Sequence, residues 1–264
     1  MERTTSIPIK TPQEIEIMKE GGKIAATVRE KVLAAAEPGI SLLELDALAE
    51  KLILEAGGEL SFKGFEGFPF TTCINVNEGV VHGLPTRRKL REGDLLTVDL
   101  GVLYRGLHTD NARTIEVNKK TRKQENKKHF LSVGQEALEK AIEQCRVGNR
   151  VGDISQAIQT TVEGAGYNVV RELGGHGVGK KLHESPFIPG FVETKGMKGT
   201  VPFNPILKGG MVLAVEVIYT QGNGRIEVID DGWTIVTSDG GLAGLFENTV
   251  AIQKTGPLVL TKAS

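Results

Sequence analysis

An internal repeat runs through the chain and limits the folds that the chain can adopt. Residues 30–57 align without a gap on residues 139–166, at a constant offset of 109 positions. The identical pairs are Glu30 and Glu139, Lys31 and Lys140, Gly39 and Gly148, Ala56 and Ala165, and Gly57 and Gly166. A repeat of this length indicates that one structural unit occurs twice and that its two copies pack together.

Helix signals frame the first copy of the repeat. A capping box from Thr11 to Glu14, with proline at the first helical position, predicts a helix that ends before Gly39. A second capping box, from Ser41 to Glu44, predicts a helix that ends at Gly57. We therefore expect the same pair of helices at the corresponding positions of the second copy.

After the helices, both copies carry the same order of polar motifs. The matching motifs are Gly93 to Asp99 with Gly210 to Glu216, His82-Gly83 with His176-Gly177, and Asp110-Asn111 with Glu247-Asn248. We therefore predict an α+β fold with duplicated helix-helix-strand halves and a central antiparallel sheet. The halves, at about 12–118 and 122–253, would meet at a pseudo-two-fold axis within one domain over residues 1–264.

The stretch from residue 93 to residue 117 predicts two strands joined by a tight turn at Gly106. If the turn centres on Tyr104 and Arg105, Asp99 lies directly opposite Asp110. Two like charges that face each other on a sheet repel, and a buried pair needs a shared proton or a cation. The alternative is that one aspartate faces inward and the other outward, through a bulge or a different register.

Composition excludes several classes of protein. A net charge of −1 gives no general reason to expect nucleic acid or an anionic membrane as a partner. The two cysteines, Cys73 and Cys145, do not form a disulfide framework, which favours a reducing compartment. Neither a membrane-spanning apolar run nor the apolar core of a signal peptide is present in the sequence. We therefore predict a soluble cytoplasmic protein.

A basic run, Lys119-Lys120-Thr121-Arg122-Lys123, separates the two halves and is followed by Lys127 and Lys128. The favoured interpretation is a solvated connection that leads into a helix. The alternative is a docking patch for an acidic surface such as ribosomal RNA.

Five candidate metal ligands emerge from the repeat, namely Asp99, Asp110, His176, Glu216 and Glu247. Four carboxylates and one imidazole cannot share a buried site without compensation, and two divalent cations would neutralise the four charges. Oxygen-rich sites with one nitrogen ligand suit Mn, Fe, Co or Zn, and they differ from thiolate zinc sites. Two such ions about 3.5–4 Å apart can activate water and polarise a carbonyl for hydrolysis.

From about Ile7 to Ile252, the ordered motifs resemble those of the type I methionine aminopeptidases. The motifs are Val80-Val81-His82-Gly83-Leu84-Pro85, Asp99 with Asp110, Gly174-Gly175-His176-Gly177-Val178-Gly179, His183-Glu184-Ser185-Pro186, Glu216, and Asp230-Asp231-Gly232-Trp233-Thr234. The resemblance implies a pita-bread fold, which agrees with the repeat. It also implies removal of the initiator methionine from nascent polypeptides, preferentially when the second residue is small.

The resemblance implies a role for each candidate ligand. Asp99 would bind one of two divalent ions (Co, Mn, Fe or Zn) through both oxygens, and Asp110 and Glu247 would bridge the two ions. His176 and Glu216 would complete the shell of the other ion. Glu216 would also handle the proton of the attacking water.

The resemblance also implies residues that contact the substrate. His82 would contact the scissile nitrogen and His183 the carbonyl oxygen. The side-chain pocket would be lined by Phe65, Phe68, Cys73, Leu182 and Trp233. The chain departs from the family pattern at Val217, Leu245 and Asn248. None of these residues is a candidate ligand.

Two rival functions stay open at this point. One is an X-Pro peptidase of the same fold, although such enzymes usually carry an additional N-terminal domain. The other is a non-catalytic binding protein on the pita-bread fold, although such relatives typically lose ligands. For the preferred function, the partners would be nascent polypeptide N-termini, with ribosome contact as an open question, and the chain would act as a monomer.

Overall fold

The computed structural model describes residues 6–117, 125–192 and 204–263. The first half contains α1 (Pro12–Ala34), α2 (Leu42–Glu55), β1 (Glu59–Leu60), a 3-10 turn (Phe65–Gly67), β2 (Thr72–Val76), β3 (Gly79–Val81), β4 (Leu95–Tyr104) and β5 (Leu107–Glu116). The second half contains α3 (Glu125–Glu143), α4 (Val151–Gly164), β6 (Asn168–Val169), β7 (Gly174–Gly177), β8 (Glu184–Pro189), β9 (Val212–Thr220), β10 (Ile226–Val228), β11 (Ile235–Thr237), β12 (Ala243–Gln253) and β13 (Gly256–Val259). The α+β class is confirmed.

The helices begin and end as the sequence predicts. Capping boxes are present at Thr11 and at Ser41, where each side chain accepts from the backbone N–H three residues later. Helix α4 has the same length as α2 and lies 109 positions further along the chain, the offset of the sequence repeat. Gly39 and Gly148 precede these helices with φ angles of 99° and 97°, a left-handed conformation that favours glycine.

Within the described residues, a ten-stranded sheet joins the two halves. Its main path runs β1-β4-β5-β12-β9-β7-β8, with β2 beside β4, β6 beside β9 and β13 beside β12. Strands β1 and β6 pair with β4 and β9 at matching positions of the repeat. The pseudo-two-fold axis therefore passes between β5 and β12, at the centre of the sheet. A smaller sheet has the order β10-β11-β3.

Threonine hydroxyls join the halves at the seam between β5 and β12. The Oγ1 atom of Thr249 accepts from the N–H of Asp110 and donates to its carbonyl, both at 2.8 Å. Thr114 Oγ1 makes the same two contacts with Leu245, both at 2.9 Å. Each hydroxyl uses both its donor and its acceptor capacity, so the backbone N–H and carbonyl groups of Asp110 and Leu245 are satisfied at this seam.

Each half has its own apolar core, formed by its helices and alternate residues of its long strand. In the first half, Leu96, Val98 and Leu100 of β4 pack in one cluster with α1 and α2. In the second half, Val215 and Val217 of β9 pack with α3 and α4. Successive side chains on a strand point to opposite faces of the sheet. Asp99 of β4 and Glu216 of β9, which lie between these apolar residues, therefore point to the other face.

The register of the β4–β5 hairpin differs from the prediction. Asp99 pairs with Ala112 and Asp110 pairs with Gly101, so the two aspartates are diagonal neighbours rather than direct partners. The turn residues are Arg105 and Gly106, both with positive φ (49° and 79°), which suits a two-residue hairpin loop. The predicted register was wrong by two residues, and the shared face survives because side chains alternate with a period of two.

Two further expectations concern charge and membranes. The basic run at 119–123 lies outside the described residues, whereas Lys127, on α3, donates to the carbonyl of Gly93. Among the helices that the structure describes, none is long and apolar enough to cross a membrane.

Candidate metal centre and substrate cleft

Four acidic side chains come from the four central strands of the sheet. They are Asp99 on β4, Asp110 on β5, Glu216 on β9 and Glu247 on β12. Glu216 and Glu247 are direct cross-strand partners. His176, on β7, pairs with Ala214 of β9, two residues before Glu216. The topology thus brings all five predicted ligands to the middle of one sheet face.

The distances show how close these groups are. The Nε2 atom of His176 lies 3.4 Å from Oε1 of Glu216 and 4.0 Å from Oδ2 of Asp110. One ligand atom each from Asp110, His176 and Glu247 lie within 4.8 Å of one another. Asp99 and Asp110 are diagonal neighbours on β4 and β5, and the charge of Asp110 acts on the carboxyl group of Asp99. The five side chains therefore form one cluster.

Burial perturbs every group in the cluster. Burial, and then the charges of neighbouring acids, raises the pKa of Asp99 and of Glu247 well above the usual range. Burial and the charge of Asp110 do the same to the pKa of Glu216. Burial raises the pKa of Asp110 to about 7 and lowers the pKa of His176 to about 3. Four ionised acids are thus unfavourable here without added positive charge.

The residues fit divalent cations. One buried oxygen on each of Asp99, Asp110 and Glu247 has no hydrogen-bond partner among the described residues. A buried carboxylate oxygen without a partner is costly, and coordination of a cation removes that cost. The donor set of carboxylates and one imidazole suits divalent ions such as Mn, Fe, Co or Zn.

In the structure, the residue of the first half that occupies the position equivalent to His176 is not the one predicted from the sequence. On β7, His176 lies opposite Ala214 of β9, and the corresponding position in the first half, opposite Thr97 of β4, is occupied by Asn75. His82 instead follows β3, with a positive φ of 55°. The predicted pairing of His82 with His176 was wrong, because a shared His-Gly dipeptide does not fix the position of a residue in a sheet.

Two more imidazoles lie at the same cleft. The ring centroid of His183 is 4.4 Å from that of His176, with the ring planes nearly perpendicular. Burial lowers the pKa of His183, and burial together with His183 lowers the pKa of His82. Both rings are therefore neutral near pH 7, so each has one N–H donor and one acceptor nitrogen. His82 and His183 both line the cleft.

An apolar cluster adjoins the acids. It includes all five predicted pocket residues and three neighbours. Its buried or half-buried members are Phe62, Phe65, Phe68, Phe70, Cys73, Leu84, Leu182 and Trp233. Trp233 meets Phe68 edge to face at 5.2 Å between ring centroids. Cys73 pairs with Asp99 across β2 and β4, so the cluster reaches the acidic residues directly.

Two cleft residues escaped the sequence analysis as functional candidates. The cleft has a volume of about 1140 Å³, and its lining includes Lys10 and Glu184. The Nζ atom of Lys10 lies 2.5 Å from Oε2 of Glu184, and each side chain is only 5% exposed. Glu184 stands within the His183 motif, but in the sequence nothing indicates that a lysine 174 positions away pairs with it.

The fold and this cluster of four acids and one imidazole are those of a metal-dependent hydrolase, and comparison with known proteins agrees. The chain belongs to metallopeptidase family M24, whose model matches residues 16–254. Members of a metallopeptidase family use divalent metal ions, which is consistent with the cluster of acids and imidazole.

Within the family, the chain is similar over nearly its whole length to methionine aminopeptidases. The Clostridium perfringens enzyme of that name is 42% identical over 255 residues, which cover 97% of this chain and 98% of the relative. The crystal structure of methionine aminopeptidase from Thermotoga maritima matches with a TM-score of 0.89 at 42% identity, covering 97% of this chain and 100% of that one. The resemblance found in the motifs and the pita-bread fold are thereby confirmed.

A prolidase is a more distant structural neighbour. The prolidase from Pyrococcus furiosus matches with a TM-score of 0.74 at 26% identity, covering 97% of this chain and 66% of the prolidase. The shared fold therefore extends to X-Pro peptidases, but the sequence is nearer to the methionine aminopeptidases.

Proposed function

We propose that this chain is a dinuclear metal-dependent aminopeptidase that removes the initiator methionine from nascent polypeptides, preferentially when the second residue is small. The observation that carries the proposal is the cluster of four buried acids and His176 beside an apolar slot. The ligands would be Asp99, Asp110, His176, Glu216 and Glu247. When bound, two divalent ions lower the pKa of water and polarise the scissile carbonyl.

The protein's own groups would handle the protons. Glu216 lies in the acidic cluster and also lines the cleft, so its carboxylate can take the proton of the attacking water. A neutral His183 would donate its N–H to the carbonyl oxygen of the scissile peptide bond, where negative charge develops. His82 would contact the scissile nitrogen from the same cleft.

The apolar slot would select the first side chain. Phe65, Phe68, Cys73, Leu182 and Trp233 would surround it. Methionine suits such a slot because its flexible thioether fills irregular apolar space and contacts aromatic edges. A charged side chain would be desolvated without a partner and should be rejected. Leucine and norleucine are harder to exclude, because one methylene changes binding by only about 1–3 kcal/mol.

We further propose one catalytic domain over residues 1–264, acting as a monomer in the cytoplasm on nascent N-termini. The two buried cysteines, Cys73 and Cys145, are not joined in a disulfide, which supports a reducing compartment. The ribosome is a further candidate partner, supported by the basic run at 119–123 in the sequence.

The proposal is tested with a panel of tripeptides that vary the first two residues, compared by kcat/KM. Peptides that begin Met-Ala and Met-Gly should be the best substrates, norleucine should follow closely, and lysine or glutamate should give no detectable cleavage. Preference for proline in the second position, without preference for methionine in the first, would reassign the chain to the X-Pro peptidases. No hydrolysis with any of Mn, Co, Fe or Zn would favour a binding protein.

A further inference from the structure

The β10–β11 hairpin ends in a turn that is organised by one carboxylate. Oδ1 of Asp231 accepts from the backbone N–H groups of Trp233 and Thr234, both at 2.8 Å. Oδ2 of the same side chain accepts from the hydroxyl of Thr234 at 2.6 Å. The turn is closed by the N–H of Ile229, which donates to the carbonyl of Thr234 at 3.0 Å. Asp231 thus fixes the backbone on both sides of Trp233.

A further hydrogen bond connects this turn to the segment that carries His82. The hydroxyl of Thr234 accepts from the backbone N–H of Leu84 at 3.2 Å. Since the same hydroxyl donates to Asp231, both of its roles are used, and its orientation is defined. Leu84 lies two residues after His82, whose backbone has a positive φ of 55°. The chain of bonds therefore runs from an exposed aspartate to the backbone N–H of Leu84, two residues after the candidate substrate contact His82.

The two segments that these bonds connect both contribute a side chain to the same apolar cluster. Trp233 and Leu84 are half-buried members of the cluster that contains Phe68, Cys73 and Leu182. Trp233 packs its ring against Phe68. A small displacement of the turn would therefore change the shape of the slot and the position of His82 at the same time.

The carboxylate next to Asp231 has no such contacts. Asp230 is exposed and makes no hydrogen bond or ion pair with the described residues, whereas Asp231 has three donors. Although desolvation opposes the shift, the hydrogen bonds from Thr234 and from the backbone hold the pKa of Asp231 below its usual range. The two adjacent acids carry the same charge and differ in their bonds, which makes Asp230 a matched control.

We propose that Asp231 and Thr234 are positioning residues that set the slot and the His82 segment together, with the hydroxyl of Thr234 as the link between them. The inference rests on the proposed function, because it assigns Trp233 to the methionine slot and His82 to the scissile bond. Asp231 holds the backbone around Trp233 in place. The hydroxyl of Thr234 connects this turn to the Gly83–Leu84 peptide group through a hydrogen bond.

Fluorescence tests the positioning without any need for activity, because Trp233 is the only tryptophan in the 264 residues. The full chain is measured without metal and with Zn²⁺, in the wild type and in Asp231→Ala, Asp231→Asn and Asp230→Ala. In Asp231→Ala the turn loses three bonds, so the emission of Trp233 should shift to longer wavelength and acrylamide should quench it more. Asp230→Ala should match the wild type, and Asp231→Asn should fall between them because it keeps one acceptor oxygen.

Kinetics tests the link to His82. Thr234→Val removes the hydroxyl at nearly constant shape and leaves the N–H of Leu84 without its acceptor, whereas Thr234→Ser keeps the hydroxyl. With Mn²⁺ and a Met-Ala-Ser peptide, Thr234→Val should lower kcat/KM by about 3- to 10-fold, through both a lower kcat and a higher KM, the factor expected for loss of one hydrogen bond. Asp231→Ala should mainly raise KM, and Thr234→Ser should restore both constants.

Several results would overturn the inference. One is a Trp233 emission in Asp231→Ala equal to that of the wild type, with the far-UV circular dichroism spectra also equal. Another is an effect of Asp230→Ala as large as that of Asp231→Ala, because charge alone would then explain both. If Thr234→Val and Thr234→Ser had equal kcat and KM values, the hydroxyl of Thr234 would not connect the turn to the His82 segment. If the wild type does not cleave Met-Ala-Ser but the fluorescence shifts occur, the proposed function fails while the positioning of Trp233 stands.

Discussion

The buried ion pair between Lys10 and Glu184 gives the sharpest quantitative prediction. The pair joins the segment before α1 to the first residue of β8, directly after the loop that carries Leu182 and His183, and its atoms are 2.5 Å apart. Glu184 also accepts from the backbone N–H of Lys181 at 3.1 Å through its other oxygen. Replacement of Lys10 by methionine would leave the carboxylate of Glu184 buried without its cation.

The expected cost follows from the burial of both partners. Each side chain is 5% exposed, so solvent cannot compensate the remaining charge. Loss of one partner of a buried pair destabilises a protein by about 3–5 kcal/mol. For a chain of this size, this corresponds to a fall in Tm of about 6–20 °C, at about 2–4 °C per kcal/mol.

A second ion pair on the same loop provides the control. Lys180 lies 3.5 Å from Glu14 of α1, but its side chain is 77% exposed. Exposed pairs contribute only about 0–1 kcal/mol, because water and salt screen them. Lys180→Met should therefore change the free energy of unfolding by less than about 1 kcal/mol. Both substitutions replace lysine by methionine, so the comparison isolates burial.

The assay is urea unfolding of the metal-free chain, followed by circular dichroism, for Lys10→Met, Glu184→Leu and the double variant. The double variant should recover most of the loss, because an apolar pair of similar volume can replace a buried ion pair at little cost. The turnover of Lys10→Met should also fall, because the loop that positions His183 loses its anchor. Equal stabilities of Lys10→Met and Lys180→Met would refute the reasoning, as would a double variant no more stable than either single one.

The remaining predictions concern the metal centre. Chelation of metal should lower Tm and abolish hydrolysis, with rescue by Mn, Co or Fe, because ions bound only by the folded state stabilise it; unchanged hydrolysis after thorough chelation would exclude a metal-dependent reaction. His183→Ala should reduce turnover about 10²–10³-fold, as for loss of an oxyanion donor, with the metal content almost unchanged. Loss of metal in parallel with activity would instead make His183 a structural residue or a ligand.

Local signals in the sequence were sufficient for much of the fold. The capping boxes at Thr11 and Ser41 predicted the starts of α1 and α2, because each box satisfies specific backbone groups at a helix end. The offset of 109 placed α4 correctly from α2. The acids of the central strands were identified because charged residues in apolar strands require compensation.

Strand register and contacts between distant segments could not be derived from the sequence. The hairpin register was wrong by two residues, because alternation fixes the face of a residue and leaves shifts of two undetermined. The Asn75 position was missed because short motifs do not specify strand pairing. The pair of Lys10 and Glu184 was missed because neither residue has a local signal, and only the folded chain brings them together.

The position of Asn75 has a consequence for the ancestry of the fold. If the repeat arose from two identical chains that associated about a two-fold axis, the same residue had to occupy both equivalent positions. In the present chain one position holds His176 and the other Asn75, which lie opposite Ala214 and Thr97, each two residues before an acid of the cluster. Covalent linkage of two such copies would remove the requirement for identity. The two sides of the acidic cluster could then diverge, so that one carries an imidazole and the other an amide.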